Sequence, residues 1–325
     1  LIRHISKPAD ALALQGSICE TADISNRDHR KGNAVADSPG KTLKKIVNER
    51  RGLLVPGAAN ALSARIIQDM GFEAVYLSGA GLTNMFYGIP DLGFVSLADL
   101  ANHTAAIRDA MSLPLIVDVD TGFGSALNVR HTVKVMERAG ANCIQIEDQV
   151  MPKKCGHFAG KDVIGAEEAA SKIKAAVDAR QSEDFLILAR TDARAIHGFD
   201  AAVERAHKFI EAGADITFVE APESVDEIRK IPQAVSKVPQ LVNIVIGGKT
   251  PVVDLKDLAE MKFGIVLYAN AALQGAIVGM QKALAQLKST GRMDEDTGLV
   301  ATFKERQRLV QKPEFDALDK KYAVK

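Results

Sequence analysis

From residue 53 onward the chain keeps one rhythm. Short apolar runs, rich in β-branched residues, alternate with stretches of helical periodicity. The apolar runs cover residues 53–57, 74–79, 115–120, 143–148, 185–190, 216–220, 241–245 and 265–269. Helical segments follow at 58–70, 128–139, 167–179, 200–212, 225–231, 253–261 and 272–290. Runs that are apolar throughout, rather than at every second residue, are the mark of strands covered on both faces. Eight such strand–helix units predict an α/β fold, a closed (β/α)8 barrel. Ala139-Gly140-Ala141 and Ala212-Gly213-Ala214 stand where a helix would end in a left-handed glycine before the next strand. A doubly wound open sheet fits less well, because Gly79-Ala80-Gly81-Leu82-Thr83-Asn84 lacks the third glycine of a dinucleotide turn.

The expected organisation is an N-terminal extension (1–45), a catalytic barrel (46–290) and a C-terminal helical tail (291–325) whose helices pack on neighbouring subunits. Residues 41–51 read as a short amphipathic helix with Leu43, Ile46 and Val47 on one face. With 47% hydrophobic residues, the chain can bury a large core without disulfide or metal staples. Lysines and arginines balance aspartates and glutamates at 41 each, so no basic field awaits a nucleic acid. No apolar run is long enough to span a membrane; the best, at 265–280, is broken by Asn270, Gln274 and Gly275. Cys19, Cys143 and Cys155 form a sparse, odd set, which points to free thiols in a reducing compartment. The cytoplasm is expected, or the mitochondrion if the source is eukaryotic. Leu1-Ile2-Arg3-His4 has no initiator methionine, so the start is trimmed or lies upstream. Asp10, Glu20 and Asp23 disfavour a transit peptide.

In a barrel of this kind, chemistry gathers at the C-terminal ends of the strands. Polar residues recur there: Tyr76 and Ser78, Asp118 and Asp120, Glu147 and Asp148, Arg190, Glu220, and Asn243. Burying so many charges without a ligand would be costly. Carboxylates that converge with no matching lysines predict a hard divalent cation, Mg²⁺ or Mn²⁺. Asp118 and Asp120, two apart on one strand, should share a face. Arg190 offers a fork to a carboxylate. A small polycarboxylate substrate is therefore expected.

The fourth strand leads into Lys153-Lys154-Cys155-Gly156-His157, read as a mobile catalytic loop. Flanking cations would make the Cys155 thiol usable as an acid or base near neutrality. Cys143, inside a strand, reads as a buried apolar residue. No second cysteine or histidine at ligand spacing supports zinc.

These residues carry a resemblance. Tyr76-Leu77-Ser78-Gly79, Ile89-Pro90-Asp91-Leu92-Gly93, Asp118-Val119-Asp120-Thr121-Gly122-Phe123-Gly124, Ile146-Glu147-Asp148-Gln149, the Lys153–His157 loop, Ala189-Arg190-Thr191-Asp192-Ala193 and Phe218-Val219-Glu220-Ala221 resemble the isocitrate lyase/phosphoenolpyruvate mutase superfamily. The loop is similar to that of its short-chain carbon–carbon lyases. The resemblance implies an essential Mg²⁺ and a homotetramer with swapped C-terminal helices. It also implies a metal environment of Asp91, Asp118, Asp120 and Glu147, with Asp118 the best direct ligand. Ser78, Gly79, Ala80, Lys153, Gly156, His157, Arg190 and Asn243 would bind substrate. Tyr76, Glu147, Cys155, Arg190 and Glu220 would carry catalysis. Cys155 would act as general acid/base.

The implied reaction cleaves a 2-hydroxy di- or tricarboxylic acid, of the 2-methylisocitrate or 2,3-dimethylmalate type, into a 2-oxo acid and a carboxylic acid. Oxaloacetate hydrolysis and phosphonopyruvate chemistry are the enzymatic alternatives. A silent scaffold or thiol sensor is the non-enzymatic one. The chain departs from the pattern at Ile246, where relatives often carry an acid, and at Ala80, where a glycine is common.

Overall fold

Each apolar run becomes a strand paired in parallel with the next, and the last closes on the first. The computed structural model describes residues 37–156 and 160–324. The strands are β1 (Leu53–Ala58), β2 (Val75–Leu77), β3 (Leu115–Asp118), β4 (Cys143–Glu147), β5 (Leu186–Thr191), β6 (Ile216–Val219), β7 (Gln240–Asn243) and β8 (Ile265–Tyr268). Closure is in register, from Leu53 opposite Ile265 to Pro56 opposite Tyr268. The expected (β/α)8 barrel is what forms.

Burial explains why the runs are apolar throughout. One set of side chains, including Val55, Tyr76, Ile116, Cys143, Leu188, Phe218, Leu241 and Leu267, fills the barrel interior. The alternate set, including Leu77, Val117, Ile144, Ile187, Val219 and Val266, packs outward against the helices. Cys143 is core, as its strand position suggested. The first helix, Pro39–Asn48, starts on Ser38, whose hydroxyl accepts from the Lys41 amide. It runs across residue 45 and packs Leu43, Ile46 and Val47 with the interior side chains. Gly40 is required there: a Cβ would lie 2.5 Å from the Asp184 carbonyl oxygen.

The region after β2 departs from the reading. The chain makes a short helix (Gly79–Leu82), a π-helical turn (Thr83–Tyr87) and then the barrel helix Leu97–Ala110. That last helix has apolar residues scattered around it, so its periodicity did not announce it; in the structure it starts on a Ser96–Asp99 capping box. In the tail expected to be helical (291–325), the chain makes two helices, Phe303–Leu309 and Lys312–Tyr322, separated at Gln311, which is in left-handed conformation. No helix among the described residues is long and apolar enough to cross a membrane.

Candidate active site

The strand ends open into a cavity of about 490 Å³, partly open to solvent. Of the residues singled out in the sequence, Tyr76, Ser78, Ala80, Asp91, Asp118, Glu147, Lys153, Cys155, Gly156, Arg190, Glu220 and Asn243 all line it. Gly79 and Asp120 stand at its wall: a Cβ on Gly79 would lie 3.4 Å from Asp120 Oδ1 and 3.6 Å from Asp118 Oδ2. His157 lies outside the described residues.

β3 is shorter than expected. It ends at Asp118, and Asp120 follows in a left-handed turn, φ 50°. The two carboxylates nevertheless reach one cluster, because the turn is held at both ends. The Asp120 amide donates to Asp118 Oδ1, and the Glu147 amide donates to the Asp120 carbonyl at 2.9 Å.

The expectation of carboxylates without lysines is wrong. Lys153 is buried, with its Nζ 2.7 Å from both Asp91 and Asp120. A second loop lysine, Lys161, pairs with Asp192 and also donates to the Gly156 carbonyl. Both lysines come from the long loop after β4, so strand-end reading could not see them. Burial works against the charge on Lys153, but Asp120, Glu147, Asp118 and Asp91 outweigh it and raise its pKa. The acids respond in kind. Burial raises Asp118, and raises Asp120 to about 7 against the pull of Lys153. Burial also holds Glu147 well above the usual carboxylate range despite Arg190.

Asp148 belongs elsewhere. Strand alternation turns it away from Glu147, out of the cavity wall. It accepts from the Thr191 hydroxyl at 2.7 Å, the Asp192 amide at 2.9 Å and Arg205 at 3.1 Å. It is a structural brace between β5 and the helix Phe199–Glu211.

Arg190 is the centre of the other wall. Its Nε and Nη2 form a fork on Asp192 at 2.9 and 3.1 Å. Nη1 lies 3.2 Å from Glu147, and Nε 3.5 Å from Glu220. The guanidinium stacks over Phe218 at 5.4 Å. Burial would raise the Asp192 carboxyl, but Arg190 and Lys161 bring it below its ordinary value. Lys161, Gln145 and Asn270 are site residues the sequence reading passed over; Asp192 and Phe218 stand in its motifs but were given no role. Gln145 had a signal, since it lies two residues before Glu147 on the same strand face; its amide donates to Asp118 Oδ1 at 3.3 Å. Tyr76 is buried, and desolvation followed by the Asp118 charge holds its pKa well above normal, so its hydroxyl stays protonated.

Cys155 is brought to the mouth by its neighbours. The Gln149 side chain donates to the Lys154 carbonyl at 2.8 Å and accepts from the Lys154 amide at 2.9 Å. Gly156 then packs on the charged wall, where a Cβ would fall 2.4 Å from Arg190 Nη2. Any side chain at 156 would push the thiol away. Outside lies a broader chamber of about 1070 Å³, lined in part by Cys155, Val245, Ile246 and Lys249.

The donor set fits a hard divalent cation. Asp118 Oδ1 is taken by Gln145 and the Asp120 amide, which leaves Oδ2 on the side facing Gly79. Glu147 Oε1 and Asn243 Oδ1 are buried without a hydrogen-bond partner. Among the described residues, three acids do not close on one point as a finished cage; Lys153 stands between Asp91 and Asp120.

Comparison with known proteins agrees with this picture. Residues 43–288 match the family described as phosphoenolpyruvate phosphomutase. The chain is 45% identical to a 2-methylisocitrate lyase of Aeropyrum pernix, over 78% of this chain and 82% of that one. It is 38% identical to the 2,3-dimethylmalate lyase of Eubacterium barkeri, over 87% and 97%. A solved oxaloacetate acetylhydrolase with the inhibitor 3,3-difluorooxalacetate superposes with a TM-score of 0.83 at 29% identity, covering 89% of this chain and 98% of that one. A phosphonopyruvate hydrolase complex with oxalate and Mg²⁺ superposes at 0.79 and 29%, covering 88% and 99%.

Proposed function

Because the chain belongs to the phosphoenolpyruvate phosphomutase/isocitrate lyase family and is a carbon–carbon lyase, we propose that it cleaves the C2–C3 bond of a 2-hydroxy di- or tricarboxylate of the 2-methylisocitrate or 2,3-dimethylmalate type. The observation that carries this reading is the meeting of one thiol, Cys155, with a buried acid cluster and Arg190 in one cavity. Phosphonate chemistry has no evident use for that thiol.

Each residue then has a task. The wall at Tyr76, Ser78 and Gly79 holds the 2-oxo-acid half of the substrate. Arg190 and Asn243 engage its carboxylates and hydroxyl, and the Arg190 fork is already aligned by Asp192 and Phe218. Mg²⁺, held by Asp118 with Glu147 and Asp120 nearby, would supply a Lewis acid for the hydroxy-carboxylate and for charge developed as the bond breaks. A base in the acid cluster takes the 2-hydroxyl proton as the C2–C3 bond breaks and C2 becomes the carbonyl of the 2-oxo acid; Cys155 gives its proton to the departing carbanion, leaving a carboxylic acid. Positioned proton transfer of this kind is worth about 10²–10⁴-fold in rate. Lys153 balances the acids rather than gripping substrate; its ammonium is spent on Asp91 and Asp120.

The same reading includes assembly. In the helix Ala271–Thr290 only Leu273 is buried, while Ile277, Val278, Met280, Leu284 and Leu287 are exposed. We infer that copies of the chain cover this face in a homotetramer, which light scattering would report directly.

The test is a side-by-side assay of 2-methylisocitrate, isocitrate, 2,3-dimethylmalate and oxaloacetate with Mg²⁺. Pyruvate or glyoxylate release from a 2-hydroxy acid is the expected result. Oxalate release from oxaloacetate alone would replace it with the hydrolase reading, which the likeness to oxaloacetate acetylhydrolase keeps as the second choice.

A further inference from the structure

The turn between Asp120 and Gly124 is the most contorted segment at the site. Asp120, Gly122, Phe123 and Gly124 all have positive φ, at 50°, 83°, 61° and 139°. Two of these are not glycines, and such residues stay left-handed only when their surroundings over-determine them. The turn is pressed on the helix Ala126–Arg138: a Cβ on Gly122 would lie 2.4 Å from Val129 Cγ2.

Two side chains from different helices take up the turn's consecutive carbonyls. Thr132 donates its hydroxyl to the Gly122 carbonyl at 3.2 Å. Lys172, on the helix Ala166–Ala179, donates its ammonium to the Thr121 carbonyl at 3.1 Å. Lys172 is the odd member of its helix face. It is buried beside Ala169, Ile173 and Ala176, where an apolar residue would be expected. Burial pulls its pKa below the lysine value, with only Glu168 supporting the charge. A buried ammonium is expensive, so its hydrogen bond to the Thr121 carbonyl is where its use must be sought.

We propose that Lys172 is a positioning residue: with Thr132 it fixes the 120–124 turn, and so presents the Asp120 carboxylate to Lys153 and the Asp118 side of the cavity. This rests on the active-site reading above. The turn leads straight into the cluster. The Asp120 amide and carbonyl are tied to Asp118 and Glu147, and its carboxylate meets Lys153 at 2.7 Å. A turn that relaxes at Thr121 swings Asp120 out of that arrangement and disturbs the bond to the Glu147 amide.

The experiment compares Lys172→Met and Lys172→Arg with wild type by hydrogen exchange, Mn²⁺ calorimetry and turnover. The Gly122 amide, which donates to the Val119 carbonyl at 2.9 Å, reports the turn. In Lys172→Met its exchange should quicken by about 10- to 100-fold, the loss of one charged hydrogen bond. Mn²⁺ affinity should fall by about 10-fold or more, as for lost support behind metal ligands. Lys172→Arg, which keeps a charged donor, should restore much of both. Exchange is read without ligand, so a protein with no lyase turnover still tests the tether. If Lys172→Met does not fold, Thr132→Val removes only the neighbouring hydroxyl and should give a smaller shift at the same amide. Unchanged Gly122 exchange and unchanged Mn²⁺ affinity in the folded variants would overturn the proposal.

Discussion

Lys153 and Arg190 both meet carboxylates in the cavity, but in different ways. Lys153 arrives from a loop as a point charge and faces Asp91, Asp120 and, nearby, Asp118. One cation serves three acids, and the pKa values of Asp118 and Asp120 are raised as a result of burial that Lys153 does not offset. Arg190 is mounted on β5 and presents a fork to Asp192, with Lys161 completing that pair. There the carboxyl is brought below its ordinary value. The Lys153 side is short of positive charge and the Arg190 side is nearly balanced. The proposed divalent cation would supply the charge missing on the first side. The second is a guanidinium held on Asp192 by two hydrogen bonds, with Glu147 and Glu220 beside it.

Breaking the balanced side should do the most damage. Arg190→Met leaves Asp192, Glu147 and Glu220 buried without their shared cation. A loss of about 3–5 kcal/mol in urea-denaturation stability is expected, along with turnover. A stable Arg190→Met protein would mean that Lys161 alone suffices for Asp192.

Breaking the unbalanced side should do the opposite to the fold. Asp118→Asn removes one charge from an over-acidic cluster, so the metal-free protein should melt no lower than wild type. Mg²⁺ should no longer raise its melting temperature, and turnover should fall by about 10²–10³-fold. Retained Mg²⁺ stabilisation would move the direct ligand away from Asp118.

The smallest effect is in pH. Asp120 has a folded pKa of about 7, above its unfolded value of 3.8. A carboxyl raised on folding stabilises while it is protonated, and that contribution disappears as pH rises through 7. Metal-free protein should therefore lose stability from pH 5.5 to pH 8. Asp192, whose pKa is lowered, loses its contribution only at more acidic pH. His103, lowered by burial, works in the opposite direction below 6.5. Asp120→Asn isolates the effect: its stability should be flatter across this range. An equal slope in both proteins would assign the dependence to other groups.

The same contrast marks how much could be read in the sequence. Strand-mounted groups were legible, because parallel strands buried on both faces leave continuous apolar runs with polar ends. Arg190, Glu147 and Asn243 fell into place from that alone. The alternation of side chains also contained the correction for Asp148, which cannot share a face with Glu147. Loop-borne charge was not legible. Nothing in the spacing says that Lys153 reaches back to Asp91 and Asp120, or that Lys161 reaches Asp192. Lys172 left a trace, a lysine within an apolar helical stripe, but its partner is a carbonyl across the barrel wall. Asp120 was assigned to the right cluster through an incorrect premise: it is not in β3, and a left-handed turn, rather than strand alternation, brings it there.

The central claim concerns Cys155, and the most direct measurement is a comparison of wild type with Cys155→Ser in D₂O. Turnover of the preferred 2-hydroxy acid is followed together with Mg²⁺-dependent oxalate binding. Wild type should release the 2-oxo acid and place one deuteron on the departing carbon. Cys155→Ser should bind oxalate and Mg²⁺ as wild type does while losing most of its turnover. A Cys155→Ser enzyme that cleaves and deuterates at the wild-type rate would remove the thiol from the reaction.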